Sequence, residues 1–96
     1  MEIKFNPKVY EDLEHEFNYY RTIEPELGQG FIQDYENTLS LVERDCLRVR
    51  TFYKENRKVN FKRFKKFAIV FEVTQQQLYI KAVCDLRKKP FYWKNR

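Results

Sequence analysis

The sequence predicts an α+β fold: a four-stranded antiparallel sheet with an N-terminal helical hairpin on one face. Three observations carry it. Two stretches in the first half repeat apolar residues at helical spacing, the second half carries strand patterns, and the two kinds do not alternate along the chain. Helices segregated in this way cover an antiparallel sheet and do not cross over a parallel one. At 96 residues the chain is long enough for one domain, spanning 1–96, and too short for two.

Taken in order, Ile3-Lys4-Phe5 opens a short strand, and Asn6-Pro7 is a helix start, with Asn able to cap and proline suited to the first turn. Val9, Leu13, Phe17 and Tyr20 then form one face of a helix, while Glu11, Asp12 and Glu14 fill its polar side near the positive end of the dipole. His15 belongs to that polar side and reads as a surface histidine. Pro25 opens a second helix whose stripe is Leu27, Phe31, Tyr35, Leu39 and Val42. Gly28 and Gly30 lie in its first turns, each at a cost of about 1 kcal/mol relative to alanine, which either a close approach to the first helix or a frayed helix end would explain. A few residues join the two helices, so they form an antiparallel hairpin.

Arg44 to Asn56 is polar and irregular, with Val49, Phe52 and Tyr53 as anchors. Lys58 to Lys62 alternates with period two, placing Val59 and Phe61 inward and Lys58, Asn60 and Lys62 outward. Phe67 to Val73 is almost continuously apolar and reads as a central strand. Thr74-Gln75-Gln76-Gln77 supplies a hairpin loop, and Leu78 to Cys84 returns antiparallel. Strict alternation there puts Leu78, Ile80, Ala82 and Cys84 on one face and Tyr79, Lys81, Val83 and Asp85 on the other.

Composition narrows the function classes. Charged residues make up 34% of the chain, and no apolar run approaches the roughly 20 residues of a membrane-spanning helix. The amino terminus lacks the apolar core of a signal peptide, so a soluble, cytoplasmic protein is expected. Cys46 and Cys84 have no CxxC spacing and the one histidine stands apart, which argues against zinc, against any other metal or cofactor, and for two free structural thiols. The net charge is +5, with acids dominating Glu11 to Glu43 and bases dominating Arg44 to Arg96. That asymmetry predicts a face for an anionic partner, nucleic acid or an acidic protein segment.

The closing stretch, LYIKAVCDLRKKPFYWKNR from Leu78 to Arg96, concentrates this chemistry: a strand, the cations Arg87-Lys88-Lys89, and the aromatics Phe91-Tyr92-Trp93. With the helices on one sheet face, Lys58, Lys62 and Lys81 should project from the other, with the cluster at its end. The expectation is an open basic face where cations hold phosphates and an aromatic ring stacks an unpaired base.

These segments resemble the RelE/ParE superfamily of toxins from bacterial type II toxin–antitoxin modules, often labelled plasmid stabilisation proteins. The likeness runs through Ile3 to Lys8, Asn18-Tyr19-Tyr20, Pro25-Glu26-Leu27, Lys62-Arg63-Phe64, and the ending Ala82 to Trp93, which is similar to a closing motif of the form His-x-x-Arg-Asp-Pro-x-x-Trp. It implies a growth-arresting toxin neutralised by a cognate antitoxin, as a homodimer or a toxin–antitoxin hetero-oligomer. Two branches stay open. One enters the ribosome and cleaves mRNA without a metal; the other inhibits DNA gyrase without chemistry of its own, and a diverged member could keep antitoxin binding alone.

For the ribonuclease branch the resemblance implies Arg87, Asp85 and Tyr92 as catalytic residues. In either branch, Lys58, Lys62, Arg63, Lys81, Lys88 and Trp93 would contact the target or nucleic acid. Two positions depart from the ribonuclease pattern: Ala68 stands where an arginine is common, and Asp85 where the motif has histidine.

Overall fold

A computed structural model describes all residues from Met1 to Arg96. The elements in chain order are β1 (Glu2–Phe5), α1 (Lys8–Ile23), α2 (Pro25–Asp45), a 3₁₀ turn (Cys46–Arg48), β2 (Thr51–Tyr53), β3 (Asn56–Asn60), β4 (Phe67–Val73) and β5 (Gln77–Asp85). Both helices run where the apolar spacing puts them. The Oδ1 of Asn6 accepts the Lys8 N–H at 2.9 Å, so Asn6 satisfies one of the free donors at the start of α1. At Gly28 a side chain would come within 2.9 Å of Arg21 Cβ and 3.2 Å of the Phe17 carbonyl, so its lack of one lets α1 and α2 pack closely.

The sheet corrects the four-stranded antiparallel expectation. It has five strands in the order β1-β5-β4-β3-β2, and β1 runs parallel to β5, with Ile3 opposite Leu78. The extra strand, β2, lies in the stretch read as irregular and pairs antiparallel with β3 over only three residues. The parallel edge arises because β1 reaches β5 after the whole helical hairpin and not through a turn, so no hairpin fixes its direction. β3 also begins and ends two residues earlier than its alternation indicated, which leaves Lys62 in the loop before β4.

A second correction matters more for function. β4 and β5 pair with a register shift: Val70 faces Ala82 while Phe71 faces Ile80, so Lys81 is an extra residue on β5. This bulge reverses the alternation of the strand. Leu78, Ile80 and Val83 join the helix-side core with Phe31, Phe61 and Phe67, whereas Ala82 and Cys84 turn to the outer side with Val70.

That outer side is not open. The chain after β5 folds back over it, and Trp93 packs on Val70, Ala82 and Cys84 with only 2% of its surface exposed. Arg96 fastens the end of the tail. Its guanidinium donates to both Asp12 carboxylate oxygens at 2.6 and 3.0 Å, and its carbonyl accepts from Asn6 Nδ2 at 3.0 Å. Asp12 Oδ2 also accepts the Val83 N–H at 3.0 Å, so one carboxylate ties helix, sheet and tail together.

Candidate target-binding surface

Of the residues expected to meet a target, Lys81 and Trp93 are interior. Lys81 is 6% exposed; its ammonium donates to Asn56 Oδ1 at 3.1 Å and Glu72 Oε1 at 3.2 Å, and lies 5.7 Å from the centre of the Trp93 ring. Trp93 covers Lys81 on the outer side of the sheet, and the carboxylate and amide keep its charge from being buried unpaired. Neither residue is available to a ligand while the tail is docked.

Lys62 and Arg63 are exposed, in the loop between β3 and β4. The loop is pinned from α2: Asp34 Oδ2 accepts the N–H groups of Arg63 at 2.9 Å and Phe64 at 2.7 Å. The Arg63 guanidinium lies over the Phe64 ring at 5.1 Å, at the helix-side rim and away from the outer face.

Asp85, Arg87 and Tyr92 do come together, at the end of β5. Asp85 Oδ1 accepts the Arg87 N–H and Nε, each at 3.0 Å, and Oδ2 accepts Nη2 at 3.0 Å. Burial alone would raise the Asp85 carboxyl, but the Arg87 hydrogen bonds and charge outweigh it and hold it below the usual carboxylate range. The same bonds raise Arg87. Tyr92 Oη accepts the Asp85 N–H at 3.3 Å, and burial pushes this phenol up to about 12. Burial also pushes the Cys84 thiol up, so it stays protonated and is no nucleophile.

Two hollows flank this corner. Between α1 and the tail, a cleft of about 210 Å³ contains His15 together with Glu11, Asp12, Glu16 and Asp85. Burial raises the Glu16 carboxyl there. With Asp12 paired to Arg96 and Asp85 to Arg87, the remaining Glu11 and Glu16 are matched by Lys8 and Lys88, so the cleft has no excess of positive charge for a phosphate. On the outer face, a hollow of about 240 Å³ is different: Phe52 and Phe91 supply rings, and Lys58, Lys88 and Lys89 supply the charge. Lys58 Nζ lies 4.9 Å from the centre of the Phe52 ring.

Sequence reasoning brought Lys58, Lys88, Lys89 and the aromatics Phe91 and Trp93 to one end of the sheet, and all of them line this hollow, but it missed Phe52. Thr51-Phe52-Tyr53 is a run of three strand-favouring residues, and that was the available signal for β2 and for where Phe52 sits. No group of three or more His, Cys, Asp or Glu side chains is placed to hold a metal, and no helix is long and apolar enough to cross a membrane.

No family model and no curated protein matches the chain. Among solved structures, the chain is similar to one described as "Chromosomal ParDE TA system from P. aeruginosa", with a TM-score of 0.78 and 18% identity over 90% of this chain and 96% of that one. At that identity the likeness speaks for the fold: two helices against a five-stranded sheet, in the arrangement of a chain from the ParDE toxin–antitoxin system.

Proposed function

We propose that the chain is the toxin of a bacterial type II toxin–antitoxin module, cytoplasmic and held inactive by a cognate antitoxin. We further propose that it arrests growth by binding its target, DNA gyrase, and not by cutting mRNA. The ParDE-like fold supports the first part. The closed Asp85–Arg87 pair carries the second.

RNA cleavage by attack of a 2′-hydroxyl needs a base for that hydroxyl, cations for the developing phosphorane charge and an acid for the leaving oxygen. Asp85 spends its oxygens on Arg87 and is a weaker base for it. Tyr92, at about 12, is a poor acid, and its hydroxyl already accepts a backbone N–H. Ala68 is fully buried and offers no cation. His15 lies in a cleft where Glu11 and Glu16 are matched by Lys8 and Lys88, so no excess of positive charge gathers a phosphate beside it. A protein that works by binding needs none of these groups free.

The test has two arms. Purified protein is added to translating ribosomes and, separately, to a gyrase supercoiling reaction. Lost supercoiling with intact mRNA is expected; truncated mRNA with normal supercoiling would refute the binding mode. Induced expression without antitoxin should stop growth, and normal growth with soluble protein present would refute the toxin assignment itself.

A further inference from the structure

The hollow on the outer face has a chemistry that neither the fold nor the closed Asp85–Arg87 pair explains. Its walls come from separate parts of the chain: Phe52 from β2, Lys58 from β3, and Lys88, Lys89 and Phe91 from the tail. None of the four ion pairs of the molecule includes Lys58, Lys88 or Lys89. The one carboxylate in the lining, Asp85, is already neutralised by Arg87. The hollow therefore carries an excess of positive charge, from Lys58 and Lys89 and from Lys88, which it shares with the cleft that holds Glu11 and Glu16.

The aromatic wall is also held in an unusual way. Phe91 has φ = 60°, a left-handed conformation that a bulky residue adopts only when its surroundings impose it. The Phe91 ring lies 4.2 Å from that of Tyr53 at 21°, and 6.4 Å from that of Phe52 at 27°. Phe52 and Phe91 nevertheless keep 39% and 37% of their surface exposed. Tyr53 covers one face of Phe91 and Lys58 Nζ lies over Phe52, so the exposed remainder of the two rings, with lysines on either side, is the surface a base would stack on.

We propose that this hollow binds a single unpaired nucleotide of a nucleic-acid strand, the base stacking against Phe52 and Phe91 and the flanking phosphates meeting Lys58 on one side and Lys88–Lys89 on the other. Lysine suits the task as a mobile point charge that tolerates variable phosphate positions, and ring stacking accepts any base. A volume of about 240 Å³ admits one planar ring system with its attached sugar and not a duplex. The inference deepens the toxin reading, on which it rests only for the identity of the target: a strand locally unpaired where gyrase holds DNA presents this ligand.

The experiment uses the full chain and a fluorescently labelled oligothymidylate, with binding followed by anisotropy. Three competitors are compared: the same strand paired to its complement, a phosphodiester strand of equal length without bases, and an acidic peptide containing phenylalanine. The unpaired strand should win over all three. Phe52→Ala should weaken it at least about fivefold while leaving the baseless strand unchanged, since stacking and not charge is lost. With two flanking phosphates engaged, affinity should fall about sevenfold between 50 and 200 mM salt, and Lys58→Gln should lower the log–log salt slope by about 0.7. Equal affinity for the baseless strand, or no effect of Phe52→Ala, would mean a solvated basic patch and overturn the proposal, as would preference for the peptide. Phe52→Leu, which keeps the bulk without the ring, guards against a folding artefact and should lose stacking as Phe52→Ala does. Growth arrest and supercoiling are read separately, so failure of this site and failure of the toxin assignment give different results.

Discussion

Truncating Trp93 to alanine separates a docked tail from a loose one. A buried aromatic removes about 150–250 Å² from water, worth roughly 4–6 kcal/mol at 25 cal/mol per Å². Measured losses for Phe or Trp to Ala in cores run about 3–5 kcal/mol. Trp93, at 2% exposure on Val70, Ala82 and Cys84, with Phe52, Tyr53 and Phe91 around its ring, belongs to that class. Freed tail residues regain conformational entropy, which offsets part of the loss, so the lower end, about 3 kcal/mol, is expected. Against a total of about 5–15 kcal/mol for a domain, that is a large share. With a urea slope of about 1–2 kcal/mol per M the midpoint should fall by roughly 2 M. Far-ultraviolet circular dichroism is the right probe, because Trp93 is the sole tryptophan and its fluorescence disappears with it. In the unmutated protein that single emission should be blue-shifted and shielded from iodide. A change under about 0.5 kcal/mol, the range of ordinary surface substitutions, would refute the docked tail.

Three further outcomes follow from the packing. Asp34→Ala leaves the N–H groups of Arg63 and Phe64 without their acceptor and should cost about 2 kcal/mol in chemical denaturation, with Asp34→Asn recovering part of it. Gly28→Ala should destabilise by about 1–2 kcal/mol, because the new methyl meets Arg21 Cβ and Phe17 backbone; Gly30→Ala displaces only the flexible end of Arg63 and should be neutral or stabilise by up to about 1 kcal/mol. Thermal melts of the two variants check the contrast. Tyr35 and Tyr92 are raised by burial from 10.0 to about 12 in the folded state, so their contribution is complete below pH 10 and lost as pH rises from 10 through 12. Unfolding free energy measured across that window should fall, by up to about 1.4 kcal/mol per pH unit for Tyr35 and less for the half-buried Tyr92; Tyr92→Phe should flatten the fall.

What could be read from residues alone was whatever depends on local periodicity. Val9 and Val42 at the ends of the helical stripes, and Ile69 and Phe71 in the continuous apolar strand, are all buried. The Thr74–Gln77 turn closes as expected, with the Thr74 N–H on the Gln77 carbonyl at 2.9 Å. Three features were not legible, each for its own reason. β2 is too short to show an alternation. The direction of β1 is set by a partner more than seventy residues away. The side of the sheet on which Ala82 and Cys84 fall depends on a bulge, and a period-two reading has no way to register one extra residue. The candidate site suffered from the docking of the tail: Lys81 lies on the outer side, as its alternation indicates, but Trp93 folds over that side and both are buried.

The bulge at Lys81 also decides what kind of surface the outer face can be. With parity kept, β5 would have shown the tail Val83 and Asp85, a branched side chain and a charge. With parity reversed it shows Ala82 and Cys84, two of the smallest side chains in the strand, and the depression they leave beside Val70 is filled by the largest side chain in the protein. One inserted residue thus converts a flat face into a socket, and the socket is what gives the last dozen residues a defined position. Tail and strand register are in this sense a single trait: an insertion or deletion within β5 would leave the helices their core partners at one end of the strand while unseating the tail at the other.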